Sequence, residues 1–137
     1  MSQPCLARYA AGMKTILSAP HVALVDDDPD VRVGLQALLR SFGYRVSLFD
    51  GGQALLDAGT GDVDCVVSDV QMPGMDGFAL LARLHEAPLA PPCILMTGYA
   101  DAHVRARALR AGAACFMRKP IDAEELAGCI AKATGRA

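Results

Sequence analysis

The stretch His21–Phe49, HVALV DDD PDVRVGLQALLRSFG YRVSLF, reads as strand, loop, helix and strand in succession. HVALV is a continuous apolar run, the kind that a parallel sheet buries on both faces. It stops at three consecutive aspartates. Asp28 is a natural N-cap, since its carboxylate can accept from an unpaired N–H of the first turn. Pro29 suits that turn because its missing N–H is not needed there. Val31, Leu35, Leu38, Leu39 and Phe42 recur at helical spacing on one face. Gly43 ends the helix by accepting a left-handed conformation, and Tyr44–Phe49 starts the next strand.

The same unit repeats along the chain. Gly52–Ala58 reads as a short helix, Val63–Ser68 as a strand running into Asp69, and Val70–Gly77 as a loop. Asp76–Glu86 is a helix with Phe78, Leu81 and Leu84 near helical spacing. Pro92–Met96 is a strand ending at Thr97, and Ala114–Arg118 a strand ending at Lys119. Asp122–Ala133 is a helix with Leu126, Cys129, Ile130 and Ala133 on one face. In Ala102–Arg110 polar and apolar residues alternate with period two, a strand template. Its Ala and Arg content and single β-branched residue favour a helix instead. Five strands alternating with five helices predict an α/β domain whose parallel sheet is covered on both faces, a doubly wound arrangement.

The whole-chain totals agree. With 137 residues, 53% hydrophobic and 20% charged, the chain is long enough for one real core and is not of disordered composition. No apolar run approaches the roughly 20 residues of a membrane span. A formal charge of −2 without a dense Lys/Arg stripe argues against nucleic-acid binding by this segment. Five cysteines follow no zinc or disulfide spacing; Cys65, Cys93 and Cys115 lie in apolar strands and read as buried thiols, which suit a reducing cytoplasm. Residues 1–20 match no element of the domain and are expected to be a flexible extension, with the domain at 21–134 and a tail at 135–137.

Polar residues fall where the strands stop: Asp26 and Asp27 after the first, Asp69 after the third, Thr97 after the fourth, Lys119 after the fifth. A parallel sheet puts all these ends on one edge, where ligands bind at the reversal of strand order. Each residue alone has a plain reading: Asp26 and Asp27 as caps, Asp69 and Thr97 as turn starters, Lys119 as a solvated side chain. Together they are a constellation. Three close carboxylates repel one another, and a divalent cation removes the conflict. Oxygen-only donors favour Mg²⁺ or a similar hard ion such as Mn²⁺. A carboxylate can take up a phosphoryl group as an acyl phosphate, and a cation, an ammonium and a hydroxyl can stabilise its equatorial oxygens.

LVDDDPDVR (Leu24–Arg32), VVSDVQMPGMDG (Val66–Gly77), ILMTGYAD (Ile94–Asp101) and GAACFMRKPID (Gly112–Asp122) closely resemble the response-regulator receiver family, over about His21 to Thr134. The motif style is similar to FixJ-type receivers of the CheY-like superfamily. The resemblance implies a flavodoxin-like sheet of order 2-1-3-4-5 and a role in two-component signal transduction. It implies Asp69 as phosphoacceptor, Thr97 and Lys119 as its helpers, and a metal site of Asp26, Asp27, Asp69 and the Gln71 backbone carbonyl. Asp27 would touch the metal directly and Asp26 through water. Thr97 and Phe116 would form the switch, Gln71 and Tyr99 would tune phosphate lifetime, and the Lys119–Pro120 bond would be cis.

By the same resemblance the partners are a sensor histidine kinase or phosphotransfer protein as donor, and a homodimer or effector as reader. The charged residues Arg105, Arg107, Arg110, Arg118, Asp122, Glu124 and Glu125 read as a solvated surface, with ion pairs in a dimer as the alternative. The domain itself is not expected to be an enzyme acting on an external substrate. A competing reading keeps the fold as an interaction module that is never phosphorylated. A haloacid-dehalogenase-type phosphatase fits less well, because Pro29 follows the Asp26/Asp28 spacing and no cap insertion is present. A dinucleotide fold is disfavoured, since no Gly-rich turn follows the first strand.

Overall fold

The computed structural model describes residues 19–99 and 101–135; the extension expected at the N-terminus falls outside them up to residue 18, and the tail outside them from residue 136. The elements are β1 (His21–Val25), α1 (Pro29–Ser41), β2 (Arg45–Phe49), α2 (Gly52–Ala58), β3 (Cys65–Asp69), α3 (Gly77–Leu84), β4 (Cys93–Thr97), α4 (Ala102–Arg110), β5 (Cys115–Arg118) and α5 (Ala123–Ala133). All strands pair in parallel in the order β2-β1-β3-β4-β5.

Alternation along each strand splits the core into two layers. Ala23, Val25, Val66 and Leu95 face one way and pack with Leu55 of α2, Phe78 and Leu81 of α3, and Ala108 of α4. Val22, Leu24, Val67, Met96 and Met117 face the other way, onto Leu35 and Leu39 of α1 and Leu126 and Ile130 of α5. Burying each of these Val, Leu, Ile, Met and Phe side chains contributes about 1.5–3 kcal/mol. Among the described residues no helix is long and apolar enough to cross a membrane.

The helix starts follow the expected chemistry. Asp28 caps α1 by accepting from the Asp30 N–H at 2.9 Å. Asp76, Asp101 and Asp122 cap α3, α4 and α5 in the same way. The period-two segment is indeed helical: α4 has Ala108 as its one fully buried residue, so its core-facing stripe is too narrow to dominate the pattern. Phe42 departs from expectation. It is the residue that terminates α1, Gly43 following at φ +90°, and its ring leaves the buried face to stand 45% exposed. Strand β3 starts at Cys65 rather than Val63, because Val63 closes a turn, its N–H donating to Thr60 O, and the chain bends at Asp64, whose N–H reaches across to His21 O. Cys65 and Cys93 are buried as expected, but Cys115 is only half-buried, since β5 is an edge strand.

The amino-terminal edge of the sheet is cross-linked by His21. Its backbone N–H donates to Asp64 Oδ2 (2.7 Å), while its ring meets Asp62 O through Nδ1 (3.1 Å) and Ser47 Oγ through Nε2 (2.6 Å). One residue thus joins β1, β2 and the turn before β3.

Candidate functional site

Parallel pairing delivers the strand-end residues to the opposite edge. Asp69 pairs with Met96 and Thr97 with Arg118, and the N–H of Lys119 donates to Thr97 O at 2.8 Å. One carboxylate oxygen each from Asp26, Asp27 and Asp69 lies within 4.8 Å of the others. The Lys119 ammonium bridges two of them, 3.0 Å from Asp26 Oδ2 and 3.2 Å from Asp69 Oδ2. The Lys119–Pro120 peptide bond is cis. Residues from four strand ends therefore meet in one crevice.

Asp26 is fully buried and both its carboxylate oxygens are engaged, since Oδ1 accepts from the Asp28 N–H at 2.9 Å. Its backbone carbonyl accepts from Arg32 Nη1 at 2.6 Å, which steadies the end of β1. Asp27 is exposed, and among the described residues none donates to its carboxylate. Asp69 is 5% exposed; its Oδ1 accepts from the Gln71 N–H at 3.3 Å. Burial holds the Asp69 carboxyl above the ordinary carboxylate range; the Lys119 charge pulls it down, and Asp26 pushes it further up. Burial would lower Lys119, but its hydrogen bonds and attraction to Asp26 and Asp69 outweigh that and raise it. Lys119 therefore stays charged beside a carboxyl that resists ionisation.

Thr97 is fully buried. Its hydroxyl donates to Gln71 Oε1 (3.3 Å) and accepts from the Tyr99 N–H (3.0 Å). The Tyr99 side chain is 76% exposed. Phe116 is half-buried and packs toward the α2–α3–α4 layer. Three features escape sequence reasoning. Gly77 lies so close to the β3 end that a Cβ there would sit 2.5 Å from Asp69 O. Gln71 engages Thr97 through its side chain. Arg107, grouped from sequence with solvated charges, lies 4.0 Å over the Phe78 ring, a cation–π contact joining α4 to α3. None has a local sequence signal beyond the glycine itself.

The donors are all oxygens, and three carboxylates face a single ammonium, so Asp26, Asp27 and Asp69 are suited to a hard divalent cation. The fold and the crevice define a doubly wound α/β protein with an acidic site at the carboxyl edge of its sheet. Residues 22–131 match the family model described as "Response regulator receiver domain", and the chain belongs to that family. It is a receiver domain of two-component response regulators.

Among curated relatives, the chain is 42% identical over 118 residues to the transcriptional regulatory protein FixJ of Bradyrhizobium diazoefficiens, covering 85% of this chain and 58% of that protein. It is 39% identical over 114 residues to the C4-dicarboxylate transport transcriptional regulatory protein DctD of Pseudomonas aeruginosa, covering 82% and 25% respectively. The chain thus spans little more than half of the first and a quarter of the second. The crystal structure titled FixJ-N superposes with a TM-score of 0.78 at 30% identity, covering 88% of this chain and 98% of that one. A response regulator receiver protein from Burkholderia phymatum gives 0.75 at 38% identity, covering 86% and 97%.

Proposed function

We propose that Asp69 accepts a phosphoryl group from a phosphohistidine of a sensor kinase or phosphotransfer protein. The observation that carries this is Lys119 Nζ, 3.2 Å from Asp69 Oδ2 and anchored at 3.0 Å on Asp26, in a crevice shared with Asp27. An Asp69 carboxylate oxygen attacks phosphorus as the bond to the donor nitrogen breaks, and the donor leaves with its electron pair. Lys119 neutralises charge on one side of the transferred group.

Asp26, Asp27, Asp69 and the Gln71 backbone carbonyl would hold Mg²⁺ or Mn²⁺, which when bound supplies positive charge against the carboxylates and phosphoryl oxygens. The open carboxylate of Asp27 and the doubly engaged one of Asp26 support a direct role for Asp27 and an indirect one for Asp26. Thr97 exchanges its bond to Gln71 Oε1 for one to a phosphoryl oxygen, and Phe116 follows, remodelling the face around β5 for a dimer or effector. Gln71 and Tyr99 flank this movement and set phosphate lifetime. The domain assists only its own phosphorylation and dephosphorylation, in the cytoplasm.

Incubation with acetyl phosphate and Mg²⁺ tests the assignment. One acid-stable, hydroxylamine-labile phosphoryl group is expected, lost on chelation and in Asp69→Asn. Labelling that persists in Asp69→Asn would move the acceptor elsewhere. An unlabelled wild-type chain that nevertheless binds Mg²⁺ would support the unphosphorylated interaction module instead.

A further inference from the structure

Four cysteines fall within the described residues, and they divide into two kinds. Cys65 and Cys93 lie in the interior strands at 0% and 1% exposure, and burial pushes the Cys65 thiol up to about 12. Cys115 and Cys129 are half-buried and lie at the free edge of the sheet. Cys115 opens β5; alternation turns it, like Met117, to the α1–α5 layer while Phe116 turns the other way. Cys129 comes from α5, which packs on that layer. Both thiols pack against that same layer, near enough for Cys115 to raise the Cys129 thiol. Both line an open cleft of about 640 Å³ with Phe116, Arg118, Arg105 and Glu125, so oxidant can reach them from solvent.

We propose that Cys115 and Cys129 form an oxidation-sensitive dithiol that closes to an intramolecular disulfide under peroxide, tying β5 to α5. The Cys115 thiolate attacks peroxide oxygen, the O–O bond breaks, and hydroxide leaves, giving a sulfenic acid. Cys129 sulfur then attacks Cys115 sulfur; its proton and the departing hydroxide form water. Two thiols and one hydrogen peroxide give one disulfide and two waters. Burial and the neighbouring Cys115 push the Cys129 thiol up to about 12, so Cys129 is the less ready to attack peroxide first and takes the second, resolving step. In a reducing compartment the pair rests open and closes only on oxidative challenge. The bridge falls beside Phe116, so it restrains the face next to the switch residue without touching the acidic crevice.

The full chain is treated with equimolar hydrogen peroxide, its thiols are titrated, and the protein is digested with trypsin without reduction. The five thiols of the sequence should fall to three. Peptides 111–118 and 119–132, which hold Cys115 and Cys129, should be recovered joined, with a loss of two hydrogens, and separate with dithiothreitol. Cys115→Ser and Cys129→Ser should each abolish the joined species. Asp69→Asn should form it as wild type does, which separates this inference from the phosphorylation reading. Five surviving thiols, a stable sulfinic acid at Cys115, or a linkage through Cys5, Cys65 or Cys93 would overturn it.

Discussion

Replacing Gly77 with alanine should damage both stability and phosphorylation, through a single contact. The added Cβ would stand 2.5 Å from Asp69 O and 2.8 Å from Val70 Cα, both backbone atoms. Reaching the 3.4 Å of an ordinary contact requires about 0.9 Å of movement between α3 and the end of β3. The Gly77 N–H also donates to Val70 O at 2.8 Å, so neither side can withdraw without losing that bond. Overpacking of this kind costs about 1–3 kcal/mol. Alanine's helical preference returns at most about 1 kcal/mol, and less in a first turn than in a helix interior. A net loss of about 1–2 kcal/mol should lower the urea midpoint by about 1 M for a domain of this size. Because the displaced backbone carries Asp69, the acetyl phosphate labelling rate should also fall, by up to about a hundredfold for an ångström of misplacement. Gly128→Ala is the control: a Cβ there meets nothing within 4 Å, on the exposed side of α5, and it should stabilise by about 0.5–1 kcal/mol. The reasoning fails if Gly77→Ala matches wild type in midpoint and rate.

Lys119→Met removes the one ammonium between Asp26 and Asp69 and should cost about 3 kcal/mol at pH 7 by urea titration, partly recovered by Mg²⁺. In the wild type, Lys119 has a raised folded pKa, so its contribution persists into alkaline solution and is lost only as pH rises through that value. Asp69→Asn should be more stable than wild type at neutral pH. The folded pKa of Asp69 is raised, so its ionisation cost is absent below the unfolded value and complete above the folded one. Thermal melts should show the gap between the two proteins opening as pH rises through that window; a gap that is constant with pH would contradict the burial argument. Gln71→Ala and Tyr99→Ala should each change the decay rate of the acyl phosphate, Gln71→Ala also by freeing the Thr97 hydroxyl; unchanged lifetimes in both would remove these residues from the switch.

The architecture was legible because the strand–helix units repeat the same local chemistry, an apolar run, a helix with one apolar face and a breaker, with an aspartate cap on every helix but the second. His21–Val25 and Gly52–Ala58 have the bounds their sequence predicts, and even Ala102–Arg110 yields to composition over period. Residues 26, 69, 97 and 119 could be grouped because parallel topology turns strand-end position into spatial proximity. Contacts that depend on side-chain reach were not legible. The bond from Thr97 to Gln71 joins residues 26 positions apart, and nothing local to either announces it. The approach of Gly77 to Asp69, the Arg107–Phe78 stacking and the Cys115–Cys129 pair are likewise products of packing. Phe42 keeps the helical spacing in sequence, but its backbone has already left the helix.

The His21 network gives the sheet two unlike ends. At the amino-terminal edge, one histidine joins a carboxylate, a backbone carbonyl and a hydroxyl through bonds of 2.7, 3.1 and 2.6 Å. At the other edge, like charges are gathered and held by one lysine. Local opening should therefore be polarised along the strand direction: amides of His21, Arg45 and Asp64 exchange slowly with solvent, near the rate of global unfolding, while those of Asp27, Gln71 and Tyr99 exchange through small, frequent fluctuations. A ligand that neutralises the acidic edge has its ordering effect where the molecule is softest, leaving the His21 end as the fixed frame against which that change is registered.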